Sequence, residues 1–198
     1  MVSQAQRRAG TVAAIHAAAR ELFAKRGFAA TTIDDIASRA GVAKGAVYHH
    51  FGSKEEIFER ILDGLFLEIA AMLRAAAESG SDVFESMVKG TEIYLERVTA
   101  PEVKRIILVD GPAVLGWNKW REIDQRHFGR MLKAPLAHLL GTRMGAADVE
   151  AQFHLLSGAI MEAALISATS RNPKKKAQEL SSGLRLLLSG LLADRKNA

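Results

Sequence analysis

Apolar residues recur with a period near 3.6 along almost the whole chain, and short runs rich in Gly, Pro, Ser or Asp separate the periodic stretches. Val12, Ile15, Ala19, Leu22 and Phe23 share one face of a first helix that stops at Gly27. "TTIDD" opens a second helix, because a Thr there can cap and an Asp follows three residues later. Its inner side is Ile33, Ile36, Ala37 and Ala40, and Gly41 ends it with the left-handed backbone a tight turn needs. A very short helix follows, over about Lys44–His50. In "SKEE", Ser53 is the cap and Glu56 the capping-box partner of a long helix that buries Ile57, Ile61, Leu65, Ile69 and Met72. That helix closes in "ESGSD".

The same reading places a helix over about Asp82–Val98 and another from Pro101, a good first-turn residue, to about Val109. "DGPAVLGW" reads as a turn. A longer helix over about Trp117–Leu140 contains Pro135, which should kink or split it. "GTRMGAAD" breaks the pattern again, and two last helices, 148–170 and about 174–194, join through Asn172 and Pro173. No strand pattern or internal repeat emerges. The prediction is an all-α fold of about nine helices.

Composition narrows the functions. Hydrophobic content of 48% and charged content of 25% are those of a globular chain. Cysteine is absent, which excludes a disulfide scaffold, a thiolate zinc site and a Cys nucleophile. The N-terminus lacks the apolar core of a signal peptide, and no continuous apolar run of spanning length is visible, so a cytoplasmic protein with no membrane partner is expected. Up to Lys54 the basic residues are Arg7, Arg8, Arg20, Lys25, Arg26, Arg39, Lys44 and Lys54, against Glu21, Asp34 and Asp35. This segment therefore holds the whole net charge of +5. Such asymmetry points to a polyanion partner or to a solvated basic surface.

Two helices, a tight turn around Gly41 and a third short helix make a helix-turn-helix, whose last helix suits the DNA major groove. Val42, Val47 and Phe51 would pin the short helix from behind, leaving Lys44, Gly45, Ala46, Tyr48, His49 and His50 outward. That helix carries no carboxylate to repel phosphate. Adjacent helical residues point about 100° apart, so His49 and His50 do not chelate together, and neither has a metal-ligating partner at i±4. The cofactor and metal expectation is none.

"TTIDDIASRAGVAKGAVYHHFGSKEEIFERIL" resembles the DNA-binding signature of TetR-type transcriptional regulators, over about residues 11–62. The resemblance implies a DNA-binding domain at 1–54 and a helical ligand-binding and dimerisation domain at 55–198. It implies that Thr32, Lys44, Gly45, Tyr48, His49, His50 and Lys54 meet DNA, mostly at phosphates. It also implies an inducer in the C-terminal helices and a homodimer through the last two. Two departures stand out. Ala43 and Ala46 occupy positions where the family often has Ser or Thr. Ala43 cannot cap the recognition helix, a loss of about 0.5–2 kcal/mol, and Ala46 offers only a methyl, suited to a thymine methyl.

The last helix carries a Leu stripe wider than one monomer needs: Leu180, Leu184, Leu187, Leu188 and Leu191, extended by Leu186 and Leu192. The helix before it has Phe153, Leu156, Ile160 and Ala164, with small Ser157, Gly158 and Ala163. Two such helices per subunit suit a four-helix dimer interface. Candidate ligand-binding residues are Asp110, Trp117, Trp120, Arg121, Asp124 and His127, with Met87, Tyr94, Phe153 and Met161 from other helices. A tryptophan and methionine stripe at helical spacing is equally a core signal. An enzyme is disfavoured, since no nucleophile elbow, zinc-protease motif or phosphate-binding glycine loop is present. The expected function is a homodimeric repressor that binds a palindromic operator and is released by a small molecule. An activator of the same fold and a ligand-independent architectural DNA binder are the alternatives.

Overall fold

A computed structural model describes residues 3–80, 82–141 and 145–193, with Leu192 and Ala193 as backbone only. Among the described residues there is no strand, and the helices number nine when the unbroken run 101–115 is counted once. Packing groups the chain into two compact units, Met1–Leu65 with Pro101–Arg121 and Phe66–Ala100 with Glu122–Ala198. The functional division expected at Lys54 falls at the start of a helix inside the first unit.

In the first unit, α1 (Gln4–Arg26) opens with a capping box between Ser3 and Gln6 and ends at Gly27, whose φ is 83°. α2 (Ile33–Ala40) has the expected box, Thr32 with Asp35, and stops at left-handed Gly41. α3 (Lys44–His50) starts from Ala43 with no side-chain cap. α4 is Lys54–Glu78. Ser53 Oγ accepts from the Glu56 amide at 3.0 Å, but the Glu56 carboxylate reaches back to the Gly52 amide at 2.8 Å, one residue earlier than a regular box. Ile15, Phe23, Ile36, Val47, Phe51, Ile57 and Phe58 are buried together, and the rings of Phe23, Phe28 and Phe58 meet at 5.3–5.6 Å.

The segment expected to be a helix and then a turn stays helical throughout: α6 (Pro101–Lys104), a π-helical stretch (Arg105–Asp110) and α7 (Gly111–Leu115). Pro112 falls in the first turn of α7, where its missing N–H costs nothing to that helix. The π stretch still leaves the Ile107 carbonyl facing Pro112, five residues on, which has no N–H to offer. The indole of Trp120, in α8 (Trp117–Leu140), donates to that carbonyl at 2.8 Å. Gly111 is required by the same approach: a Cβ there would stand 2.6 Å from Trp120 Cδ1.

The second unit holds the rest of α4 and α8, with α5 (Val83–Val98), α9 (Ala146–Thr169) and α10 (Pro173–Ala193). Pro135 does not split α8, which remains one helix. α5, α9 and α10 pack on one another, and a two-pronged ion pair ties Arg185 to Glu85. The Leu stripe divides. Leu184 and Leu188 are buried, whereas Leu186 and Leu187 are 73% and 65% exposed. The side chain of Leu192, residue 81 of the "ESGSD" break and residues 142–144 of the "GTRMGAAD" break lie outside the described residues. By length and mean hydropathy α9 is apolar enough to cross a membrane, although it contains no uninterrupted apolar run of that length. Its apolarity comes from Ala, Leu, Ile, Val, Phe and Met spread among a few polar residues, and it packs against α5 and α10.

Candidate nucleic-acid interface and effector cavity

The short helix α3 is held by two residues. Val47 is fully buried on one turn and Phe51 ends the helix, its amide donating to the Val47 carbonyl at 2.9 Å. Anchoring at these two points turns Lys44, Gly45, Tyr48 and His49 outward. Tyr48 is 52% exposed, unusual for so large a ring. Gly45 lies inside a helix, where glycine costs about 0.5–1 kcal/mol against alanine. A Cβ at Gly45 would meet nothing within 4 Å, so no contact within the chain demands glycine there. Ala46 and His50 are half-buried, and the two imidazoles meet edge to face at 5.1 Å. His50 Nδ1 is buried with no hydrogen-bond partner among the described residues.

Three of the expected DNA-contacting side chains have intramolecular work as well. Lys44 Nζ pairs with Asp34 of α2 at 2.9 Å, which raises the Lys44 pKa through that hydrogen bond. The recognition helix carries no carboxylate of its own, yet folding brings one beside it, a neighbour its own sequence does not reveal. The Thr32 hydroxyl donates to Asp35 Oδ2 at 2.7 Å and accepts from the Asp35 amide at 3.1 Å, so it serves as a cap. These bonds from Thr32 hold the Asp35 carboxyl below its ordinary pKa. Lys54 Nζ donates to the carbonyls of Phe28 and Thr31 at 2.9 and 2.8 Å and lies 4.1 Å from the Phe28 ring centre. The Lys54 ammonium closes the loop between α1 and α2.

The second unit contains a cavity of about 310 Å³. Met87, Tyr94, Asp124, Phe153 and Met161, all named from the sequence, line it. The Tyr94 hydroxyl donates to Asp124 Oδ1 at 3.4 Å, and burial, then the nearby carboxylate, pushes the phenol pKa well above its usual value. Phe128 meets Tyr94 edge to face at 5.2 Å. Phe128, which shares the face of Asp124 at helical spacing, and Leu132 and Pro135 extend the wall along α8, although none of the three was among the candidates.

Five other candidates sit elsewhere. Asp110 Oδ2 accepts from the Phe28 amide at 2.8 Å in the first unit, where Arg105 Nη1 also donates to the Lys25 carbonyl at 3.2 Å. Trp117 and Trp120 stack at 5.3 Å, with the Arg121 guanidinium over the Trp117 ring, also in the first unit. α8 passes from one compact unit to the other, so its first turns serve local packing and only its later turns line the cavity. His127 is in the second unit, its ring 6.2 Å from that of Phe66, and is not a lining residue. Among the described residues no group of three or more His, Asp or Glu is placed to hold a metal ion.

Comparison with known proteins covers both halves. Residues 15–61 match the family described as bacterial regulatory proteins, tetR family, and residues 84–191 match the tetracyclin repressor-like C-terminal domain. The TetC protein of transposon Tn10 from Escherichia coli is 27% identical over 74% of this chain and 75% of its own length. The transcriptional repressor KstR2 of Rhodococcus jostii is 45% identical, but over only 32% of this chain and 31% of its own. A crystal structure of a TetR-family regulator from Pectobacterium atrosepticum superposes with a TM-score of 0.78 at 30% identity, over 96% of this chain and 97% of that one. RolR in complex with resorcinol shares the fold, with a TM-score of 0.69 at 19% identity over 93% of this chain and 90% of that one. The chain belongs to the TetR family of bacterial transcriptional regulators.

Proposed function

We propose that the protein is a cytoplasmic, homodimeric repressor that holds a palindromic DNA operator and releases it when a small molecule occupies the second-unit cavity. The observation that carries this reading is the outward face of α3, where Lys44, Tyr48 and His49 present donors around an unhindered Gly45. A glycine with open space in front of it lets a sugar-phosphate chain come close, and the flanking side chains give hydrogen bonds to phosphates and base edges. Residues 1–54 are the DNA-binding part and 55–198 the effector and dimer part. Thr32, Ala46, His50 and Lys54 border the DNA face, with Thr32 and Lys54 acting chiefly by fixing its shape.

The dimer surface is the outer side of the last two helices. Gly183, Leu186, Leu187 and Gly190 recur at helical spacing on α10, and a Cβ on either glycine would meet nothing within 4 Å. Leu155, Gly158, Leu165 and Ile166 are exposed on α9. A two-fold pair built on these faces sets two recognition helices against two half-sites. The effector acts by favouring the conformation that does not dock. The test is selection of bound fragments from random DNA with the full chain. Two-fold symmetric sites with half-sites one or more helical turns apart are expected, and recovery of no symmetric sequence refutes the repressor reading.

A further inference from the structure

The cavity of the second unit has charged groups that are engaged and neutral polar groups that are not. Asp124 accepts from the Tyr94 hydroxyl at 3.4 Å and takes part in a further interaction, so the pair is already committed. Asp82 is exposed and caps α5, accepting from the Glu85 amide at 2.8 Å. Among the described residues the wall has no Lys, Arg or His. An open groove beside the cavity shares Gln125, Gly129 and Phe153 with it and carries Arg130 and Lys133. Arg130 is exposed to water and Lys133 is paired with Glu150, and neither lines the cavity. By contrast, the Ser86 hydroxyl, the Gln125 amide and the Ser157 hydroxyl have no hydrogen-bond partner among the described residues. They reach the cavity from three helices, α5, α8 and α9.

A buried ion loses hydration that only a counter-charge built for it restores. An ionised acid finds no cation in this wall. An ammonium finds one carboxylate engaged and the other exposed, where an ion pair adds at most about 1 kcal/mol. A neutral hydroxyl or carbonyl is the group that fits, because the Gln125 amide can both donate to it and accept from it. The rest of the wall is apolar, with Leu73, Met87, Leu132, Phe153, Ile160 and Met161 among it. Size restricts the occupant further. An apolar cavity of about 150 Å³ holds one benzene ring, so a cavity of about 310 Å³ suits one or two rings. We infer that the effector is an uncharged compound of one or two rings whose hydroxyl or carbonyl bonds to Gln125, and that ionised acids and amines are rejected. This rests on the reading of the cavity as the effector site.

The test uses four probes with one hydrocarbon body: naphthylmethanol, naphthylmethylamine, naphthoic acid and methylnaphthalene. Each is titrated calorimetrically into the full-length protein at neutral pH, where the amine and the acid are ionised. The alcohol is expected to bind about tenfold or more tightly than either ion. In Gln125→Leu, alcohol affinity should fall about fivefold, the effect of one neutral hydrogen bond. Methylnaphthalene has no polar group and should bind the variant no more weakly, which reports an intact cavity. Three results overturn the inference: either ion within about tenfold of the alcohol, an alcohol affinity unchanged in Gln125→Leu, or no binding of any probe. The wild-type ranking decides between neutral and ionised ligands even where the variant does not fold. Adding the alcohol to a protein–DNA complex tests the underlying reading separately. An alcohol that binds without releasing DNA refutes the effector role and leaves the ligand class standing.

Discussion

Replacing Lys54 by Met keeps an unbranched apolar stem and removes the ammonium that joins the Phe28 and Thr31 carbonyls. A hydrogen bond to a charged group contributes about 1.5–3 kcal/mol. Lys54 is half-buried and both carbonyls regain water in the variant, so the lower end applies. Two bonds at about 1.5 kcal/mol each and about 0.5–1 kcal/mol from the contact with the Phe28 ring then come to about 3.5–4 kcal/mol. For a chain of this length each kcal/mol moves Tm by about 2–4 °C, so a fall of about 7–16 °C is expected. Lys44→Met is the comparison, because Lys44 gives up only an exposed pair with Asp34 and Tm should not move. In DNA binding the order reverses. Lys44→Met should lower the slope of log affinity against log salt by about one, and Lys54→Met, assayed well below its Tm, should leave it unchanged. A Lys54→Met protein with wild-type Tm and a reduced salt slope would refute the structural role and restore Lys54 as a phosphate-binding group.

Gly111→Ala should cost about 1–3 kcal/mol in urea unfolding, because the new methyl meets the Trp120 ring and, at 3.0 Å, the Ile106 carbonyl; an unchanged midpoint contradicts the close approach. Trp120→Phe keeps an aromatic ring but a smaller one, and strands the Ile107 carbonyl, for an expected loss of at least about 1–2 kcal/mol by the same assay. Stability should decline on acidification. The bonds from Thr32 depress the Asp35 pKa, and the Gly52 amide, then Arg60, depress that of Glu56, so their contribution is full above the ordinary carboxylate value of about 4 and lost as pH falls through the folded values. Asp35→Asn should flatten the acid limb of a Tm–pH curve, and an identical limb in the variant rules this source out. Leu186→Glu combined with Leu187→Glu should yield a folded monomer in sedimentation, whereas an intact dimer would place the interface elsewhere.

Local signals were the most legible part of the sequence. Caps such as Thr32 and Asp35, and stops such as Gly27 and Gly41, act within a few residues, so spacing alone locates them. Val47 and Phe51 read as the anchors of α3 for the same reason. The errors came from partners distant in sequence. Asp110 resembles a pocket residue until the loop at Lys25–Phe28, some 80 positions earlier, arrives beside it. Lys54 looks like a free cation because its two carbonyl partners lie more than 20 residues upstream. Gly111 and Pro112 signal a turn by composition, and only the Trp120 indole, which replaces a missing N–H, explains why the chain stays helical there. Met87 and Tyr94 on α5 and Phe153 and Met161 on α9 were named from two separate helices, and the cavity joins them. Helical spacing puts Phe128 on the face of Asp124, but an apolar ring there reads equally as core.

The π stretch at Arg105–Asp110 also works as a gauge of length. Arg105 at one end grips the Lys25 carbonyl, and Asp110 at the other takes the Phe28 amide, so the two ends engage a loop of fixed span. Deleting one residue between them would tighten the wide turn into an ordinary α-helical turn, with a ladder broken only at Pro112. That local improvement would rotate one end against the other by about 100°. Only one of the two grips would then remain in register. The extra residue is therefore a phase shifter, and local helix regularity is given up so that both anchors reach the loop beside the DNA-binding head.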